Sequence, residues 1–432
     1  MKRFGLVLVI IIAIFAGCQG ISDEIIELGN YDTTTESIEL SEIYQYYDSQ
    51  FIITIEQAIA DYQFMWDMVE ENLPSIYLLE RVLEIDVSEI RAEGLDHLMS
   101  HEYEFISIRE FYNFLEQHHR IFRFIFHFSV IDGGLASFLL YPDNLEYFFD
   151  EVIFDLGWTI SVYNHLFPWI EEMTIDEGNF YQHERPTFNV INDDLAIIEI
   201  PTFGMYSRES EELHYLLHSF YEYATNAGIG NIIFDVTRNG GGNTNFWIDH
   251  IIAPNIREEL YADILILARN SETVVRFIDF WTHGELVMSE INDRQFDVIN
   301  QDDLSEVELY SFVRRTIQPN HDGTPAFEGD FFILIDEFGF SATDGFANFA
   351  YQTGFATLVG TATRGAGIGM QRLIFSLPTS GLLVGFDVFY GVNPDGSANQ
   401  EIGTSPHYFL EFYGPIRTVL SIIEERQTSE QE

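Results

Sequence analysis

The sequence predicts an α/β fold preceded by a mostly helical N-terminal region. Three observations point there. Short buried apolar runs alternate with amphipathic stretches across the second half. Two capping patterns open helices in the first half. A chain of 432 residues, 47% hydrophobic and 15% aromatic, can bury one large core or two modest ones.

At the N-terminus, Lys2 and Arg3 precede an apolar run from Leu6 to Phe15, followed by Ala16, Gly17 and Cys18. A basic start, a short apolar stretch and small residues read as a secretory signal over 1–18. It is similar to a bacterial lipoprotein signal, in which the cysteine is lipidated and becomes the new N-terminus. That places the protein outside the cytoplasm, anchored to the bacterial cell membrane. An ordinary secretion signal with an incidental cysteine is the alternative. Cys18 is the only cysteine, which excludes an intramolecular disulfide and a cysteine-based metal site. No later segment reaches ~18 consecutive apolar residues, the length needed to span a bilayer. Residues 19–44 are polar and acidic and read as a flexible tether.

Residues 45–185 form the helical region. Thr54 and Gln57 make a capping-box pair, and Ile55, Ile59, Tyr62, Trp66 and Val69 follow at helical spacing until Asn72 and Pro74. A second helix opens at Ser107 with Glu110 and runs through Phe111, Phe114, Leu115, Ile121, Phe122 and Ile125. His118 and His119, on that helix, read as surface residues. The most linker-like stretch is Gly178 to Pro186.

From 186 to 426 the pattern changes. Leu195 to Ile200 reads as a strand. A helical face of Leu213, Leu216, Leu217, Phe220 and Ala224 follows and ends at Gly228. Ile232 to Asp235 and Phe331 to Ile335 are short buried strands, and a helix after Ser341 leads to Phe355–Gly360. Strand, helix, strand in repetition argues for parallel crossovers. The polar end, 427–432, is expected to fray.

The chain carries 20 basic against 70 acidic residues, a formal charge of −50. Such a surface repels phosphate backbones, so no nucleic-acid partner is expected. It keeps the protein soluble. No spaced Asp/Asn calcium loop is present, so a metal-binding role has no support, and no cofactor is expected.

Two segments carry chemistry. Phe234–Asn243 ends a strand pattern in Gly240, Gly241 and Gly242, and Ile335–Ala350 sets Ser341 at a strand-to-helix turn. A serine there is a nucleophile candidate, and a loop without side chains can offer amides to an oxyanion. Each has a plainer reading. Ser341, with Asp344 three residues on, fits a helix N-cap, and three glycines fit a turn.

The order of blocks resembles the tail-specific (C-terminal processing) serine peptidase family, particularly its tricorn and retinoid-binding-protein-like branch. The residues that carry the resemblance are DVTRNGGG (Asp235 to Gly242), FSATDGFA (Phe340 to Ala347), VGTATRGAG (Val359 to Gly367) and QEIGTSPH (Gln400 to His407). It covers roughly 190–415. It implies a crotonase/ClpP-like α/β core and peptides or unfolded proteins as substrates. It further implies Ser341 as nucleophile, with an amide of Gly240, Gly241 or Gly242 facing the oxyanion beside that of Ala342. Asp235 and Arg238 would hold the loop, and Glu401 would be the orienting carboxylate. No PDZ-like module is evident between 150 and 190.

The base departs from the family. Where one branch has lysine, this chain has Ala366. Where the other has histidine, Ile131-Asp132-Gly133-Gly134 ends in glycine. His127, in an aromatic stretch read as helical, is the substitute; a satisfied core histidine is the alternative. Three functions stay open: a membrane-anchored serine peptidase, a degenerate relative that binds peptides, and an α/β-hydrolase esterase using Ser341, Asp395 and His407 in that fold's chain order. Oligomeric state is not legible.

Overall fold

The computed structural model describes residues 49–141, 144–145, 149–168, 170, 185–204, 209–292, 296, 298–369, 372–410 and 414–429. The signal, Cys18, the tether and most of Gly178–Pro186 lie outside the described residues. Residues Gln50–Glu432 make one compact unit.

Helix α1 (Ile55–Asn72) starts at Thr54, whose side chain accepts from the Gln57 N–H while the Gln57 side chain returns to the Thr54 N–H. Helices α2 (Ile76–Leu83), α3 (Val87–Met99) and α4 (Ile108–His119) follow, the last opened by the Ser107–Glu110 capping box. Helix α4 is shorter than its apolar pattern suggested. It gives way to a 3₁₀ turn at Arg120–Phe122, and Phe126 and His127 then take positive φ, each 50°. A run with Phe122, Phe126 and Phe128 all fully buried cannot place them on one helical face, so the chain turns to reach the core. His119 is likewise no surface residue: it is 1% exposed, because Phe111, Leu115 and His119 share the inward face of α4. Burial pushes its imidazole pKa down to about 3.

Strand β1 (Ser129–Val130) and helices α5 (Gly133–Leu139) and α6 (Leu156–Leu166) complete the helical region. The main sheet contains β2 (Thr187–Asn192), β3 (Leu195–Glu199), β4 (Asn231–Asp235), β7 (Asp330–Ile335), β8 (Thr357–Gly360) and β12 (Tyr408–Phe409). Its order is β12-β8-β7-β4-β3-β2, parallel throughout except for β2. Period-two alternation splits its side chains between two layers. Ala196, Ile198, Phe234 and Ile333 meet α7 (Glu209–Ala227) and, after α8 (Glu272–Thr282) in the chain, α9 (Ala342–Thr353); Ile197, Ile233 and Leu334 meet α10 (Pro415–Ser429). Helix α10 runs past Arg426, where fraying was expected, because Val419, Ile422 and Ile423 bury against the sheet and Arg426 bonds Thr357 and Asp330.

Antiparallel strands not foreseen in the sequence join the helical region to this core. β5 (Leu260–Ala268) pairs with β6 (Leu309–Ile317) and β11 (Tyr390–Val392), while β10 (Leu383–Asp387) pairs with β9 (Arg372–Ser376) and β1. One continuous apolar core runs from Tyr62, Trp66 and Phe111 to Leu267, Phe386 and Tyr390.

Candidate active site

Strands β4 and β7 are parallel neighbours, so the segments leaving their carboxyl ends emerge side by side. The segment after β4 is the glycine turn; the segment after β7 carries Ser341. Gly241, at φ 104°, lies against the serine: a Cβ there would sit 2.6 Å from the Phe340 carbonyl oxygen, 2.9 Å from Ser341 Cβ and 3.1 Å from the Ala342 nitrogen. Only glycine permits that approach. The turn is held from beneath. Asn239 donates its amide to the Ile200 carbonyl at 3.0 Å and accepts the Gly241 N–H at 2.9 Å. That bond commits Gly241's own N–H, leaving Gly240, Gly242 and Ala342 as the amides open to a ligand.

Ser341 has φ 57° and ψ −120°, a conformation costly for a residue with a side chain. Its N–H donates to the Gly365 carbonyl at 3.0 Å, and its side chain makes no capping bond. The side-chain capping bond that the N-cap reading of Ser341 called for does not form. Asp344 instead turns into the interior, accepting from Gly367 N–H and Asn399 Nδ2 at 2.9 Å each and from the Thr363 hydroxyl. Burial raises its pKa, opposed by those bonds. This network fastens the Thr363–Gly367 turn, which in turn holds Ser341. Ala366 lies buried there, and Lys2 is the only lysine in the chain, so no lysine base is available in the folded core.

His127 is not helical; it sits in the turn before β1. Its Nδ1 lies 2.7 Å from Asp387 Oδ2, and its ring packs on Phe340, centroids 4.5 Å apart. Phe340 directly precedes Ser341, so the imidazole stands against the wall of the nucleophile turn. Asp387, the last residue of β10, is 1% exposed, and its Oδ1 has no hydrogen-bond partner. The backbone is locked on both sides, since the Asp387 N–H donates to the Phe126 carbonyl at 2.6 Å. Sequence reading missed Asp387. The available signal was one carboxylate inside an otherwise apolar run, Leu382 to Phe389, where a buried charge needs a partner.

Glu401 pairs with Arg81, through Nε at 3.1 Å and Nη2 at 2.8 Å; the same guanidinium reaches buried Asp303 at 2.6 Å. Its carboxylate is therefore taken up in a bridge between α2 and the Asn399–Ile402 turn. Asp235 accepts from Thr237, and the Arg238 N–H donates to Asp336. The arrangement an α/β-hydrolase would need is not assembled. Asp395 is bonded by Ser397, and His407 Nδ1 accepts the Leu358 N–H at 3.0 Å. Among the described residues no group of three or more His, Cys, Asp or Glu could hold a metal ion.

Comparison with known proteins adds to this geometry. The family model described as peptidase family S41 matches residues 194–410. No curated protein matches the sequence. Similar solved structures include a lipoprotein from Streptococcus agalactiae, at 12% identity over 85% of this chain and 96% of that one, with a TM-score of 0.45. Mature CPAF complexed with lactacystin matches at 14% identity over 82% and 94%, with a TM-score of 0.49. The photosystem II D1 C-terminal processing protease matches at 16% identity over 54% and 50%, with a TM-score of 0.34.

Proposed function

The chain belongs to peptidase family S41, and we propose that it is a serine endopeptidase whose reacting groups are Ser341, His127 and Asp387. The observation that carries this reading is the His127–Asp387 bond at 2.7 Å beside Phe340. With Nδ1 donating to Asp387, His127 Nε2 is left as the acceptor for a serine proton. Ser341 Oγ attacks a peptide carbonyl, and His127 takes the hydroxyl proton. Amides of Ala342 and the glycine turn stabilise the developing oxyanion. His127 then protonates the leaving amine, and water, deprotonated by the same imidazole, releases the acyl group. Asp387 orients the ring and stabilises the imidazolium. Peptides or unfolded proteins are the substrates, and Cys18 is the lipidation site that anchors the enzyme outside the cytoplasmic membrane.

A fluorophosphonate probe tests the reaction directly. Covalent adduct mapped to Ser341, together with hydrolysis of unfolded casein that disappears in Ser341→Ala, is expected. Equal hydrolysis by both proteins, or adduct elsewhere, rules the assignment out. A folded protein that binds peptides but takes no probe would be the degenerate relative. Radiolabelled palmitate incorporated into the wild type but not Cys18→Ala checks the anchor.

A further inference from the structure

The chain carries 70 acidic and 20 basic residues, and several of its described arginines pair with carboxylates. Arg81 pairs with Asp303 and Glu401, Arg269 with Glu306, and Arg314 with Asp263. Arg123 and Arg364 are among those that do not. Both are exposed, and neither has an ion pair or a side-chain hydrogen bond among the described residues. Both guanidinium groups are instead drawn to one ring: Arg364 Cζ lies 3.8 Å and Arg123 Cζ 6.0 Å from the centroid of Phe124. Holding two like charges on one aromatic is unfavourable without a counter-ion, because the ring's attraction is modest beside charge repulsion.

Their position gives the pair a use. Phe124 packs edge-on against Phe340, centroids 5.3 Å apart, and Phe340 also carries His127. The Arg364 N–H donates to the Gly339 carbonyl at 2.7 Å, tying that arginine to the segment entering Ser341. Two uncompensated guanidinium groups thus flank the aromatic wall of the nucleophile turn.

We propose that Arg123 and Arg364 form a substrate subsite that binds the carboxylate of an aspartate or glutamate side chain close to the scissile bond. The proposal deepens the peptidase reading and rests on it for the identity of the ligand as a peptide. A planar guanidinium stacked on a ring keeps its N–H groups free to grip a carboxylate, a geometry that ammonium lacks. Elsewhere the strongly acidic surface repels such a side chain, so the subsite also sets the register in which an acidic peptide settles.

The test separates binding from turnover. Short fluorescent peptides with a single glutamate walked along a neutral sequence, each with a glutamine counterpart and each amidated at the C-terminus, are titrated into full-length Ser341→Ala protein. The best glutamate peptide is expected to bind about tenfold more tightly than its glutamine twin. That preference should vanish in Arg123→Gln/Arg364→Gln on the same background, with an unchanged melting temperature confirming folding. Equal binding of every pair, or a preference that survives the double substitution, overturns the subsite. Preference seen only when the C-terminus is left as a free acid overturns it too, since the carboxylate would then be the chain end. Discrimination without any Ser341-dependent hydrolysis by the wild type would refute the peptidase reading alone. Hydrolysis without discrimination would refute the subsite alone.

Discussion

The two halves of the candidate site are built differently. Ser341 and the glycine turn leave the ends of adjacent parallel strands, each inside an unbroken stretch of sequence, and backbone geometry alone brings them together. His127 and Asp387 lie 260 residues apart and meet only because β1 pairs with β10 and the Phe126 carbonyl takes the Asp387 N–H. The nucleophile half is a local device, while the base half is a product of long-range packing. A family can therefore keep the first recognisable and supply the second from an unexpected place, provided that a carboxylate and an imidazole still meet beside the serine.

Substitutions probe that contrast, beginning with the largest expected loss. Ser341→Ala and His127→Ala should each lower kcat/KM by about a thousandfold or more, and the double variant should fall little further, because the two act as one unit. Steady-state kinetics on an unfolded substrate reads this, with thermal melts showing an intact fold. Asp387→Asn should cost about a hundred- to ten-thousandfold in kcat with a smaller change in KM, since it presents a donor to the imidazole N–H and upsets the tautomer.

Gly241→Ala attacks the other half. A methyl group 2.6 Å from the Phe340 carbonyl oxygen must push the serine turn aside. Displacement of about 1 Å costs about a hundredfold in rate. The same change should lower the melting temperature, because alanine is strained at φ 104°. The smallest effect belongs to Glu401→Gln. It weakens a bridge to Arg81 in which Glu401 is 30% exposed and Asp303 remains as partner. Activity should change by no more than about threefold, in line with the small worth of exposed ion pairs. An Asp387→Asn enzyme with full activity beside an inactive Glu401→Gln would reverse the assignment of the orienting carboxylate.

Much of the fold was legible because it rests on local rules. The capping boxes at Thr54 and Ser107 started their helices as read, and the apolar runs at Leu195, Ile232 and Phe331 became neighbouring strands. Reading failed where an element's identity depends on what surrounds it. The stretch from Ile121 to Phe128 has apolar residues compatible with a helix, yet its rings are drawn in several directions by separate parts of the core. His119 reads as polar by type, but its i+4 spacing from Leu115 turns it inward.

The sequence by itself determined the parallel strand order's local ingredients, the glycine turn and the serine at a strand-to-helix turn, because each depends on residues within a few positions of one another. Only the tertiary structure decided that His127 packs on Phe340, the residue before Ser341, and that Asp387 is the carboxylate that meets its imidazole. That choice rests on hydrogen-bonded pairing between segments hundreds of residues apart, and distance along the chain carries no record of proximity in space.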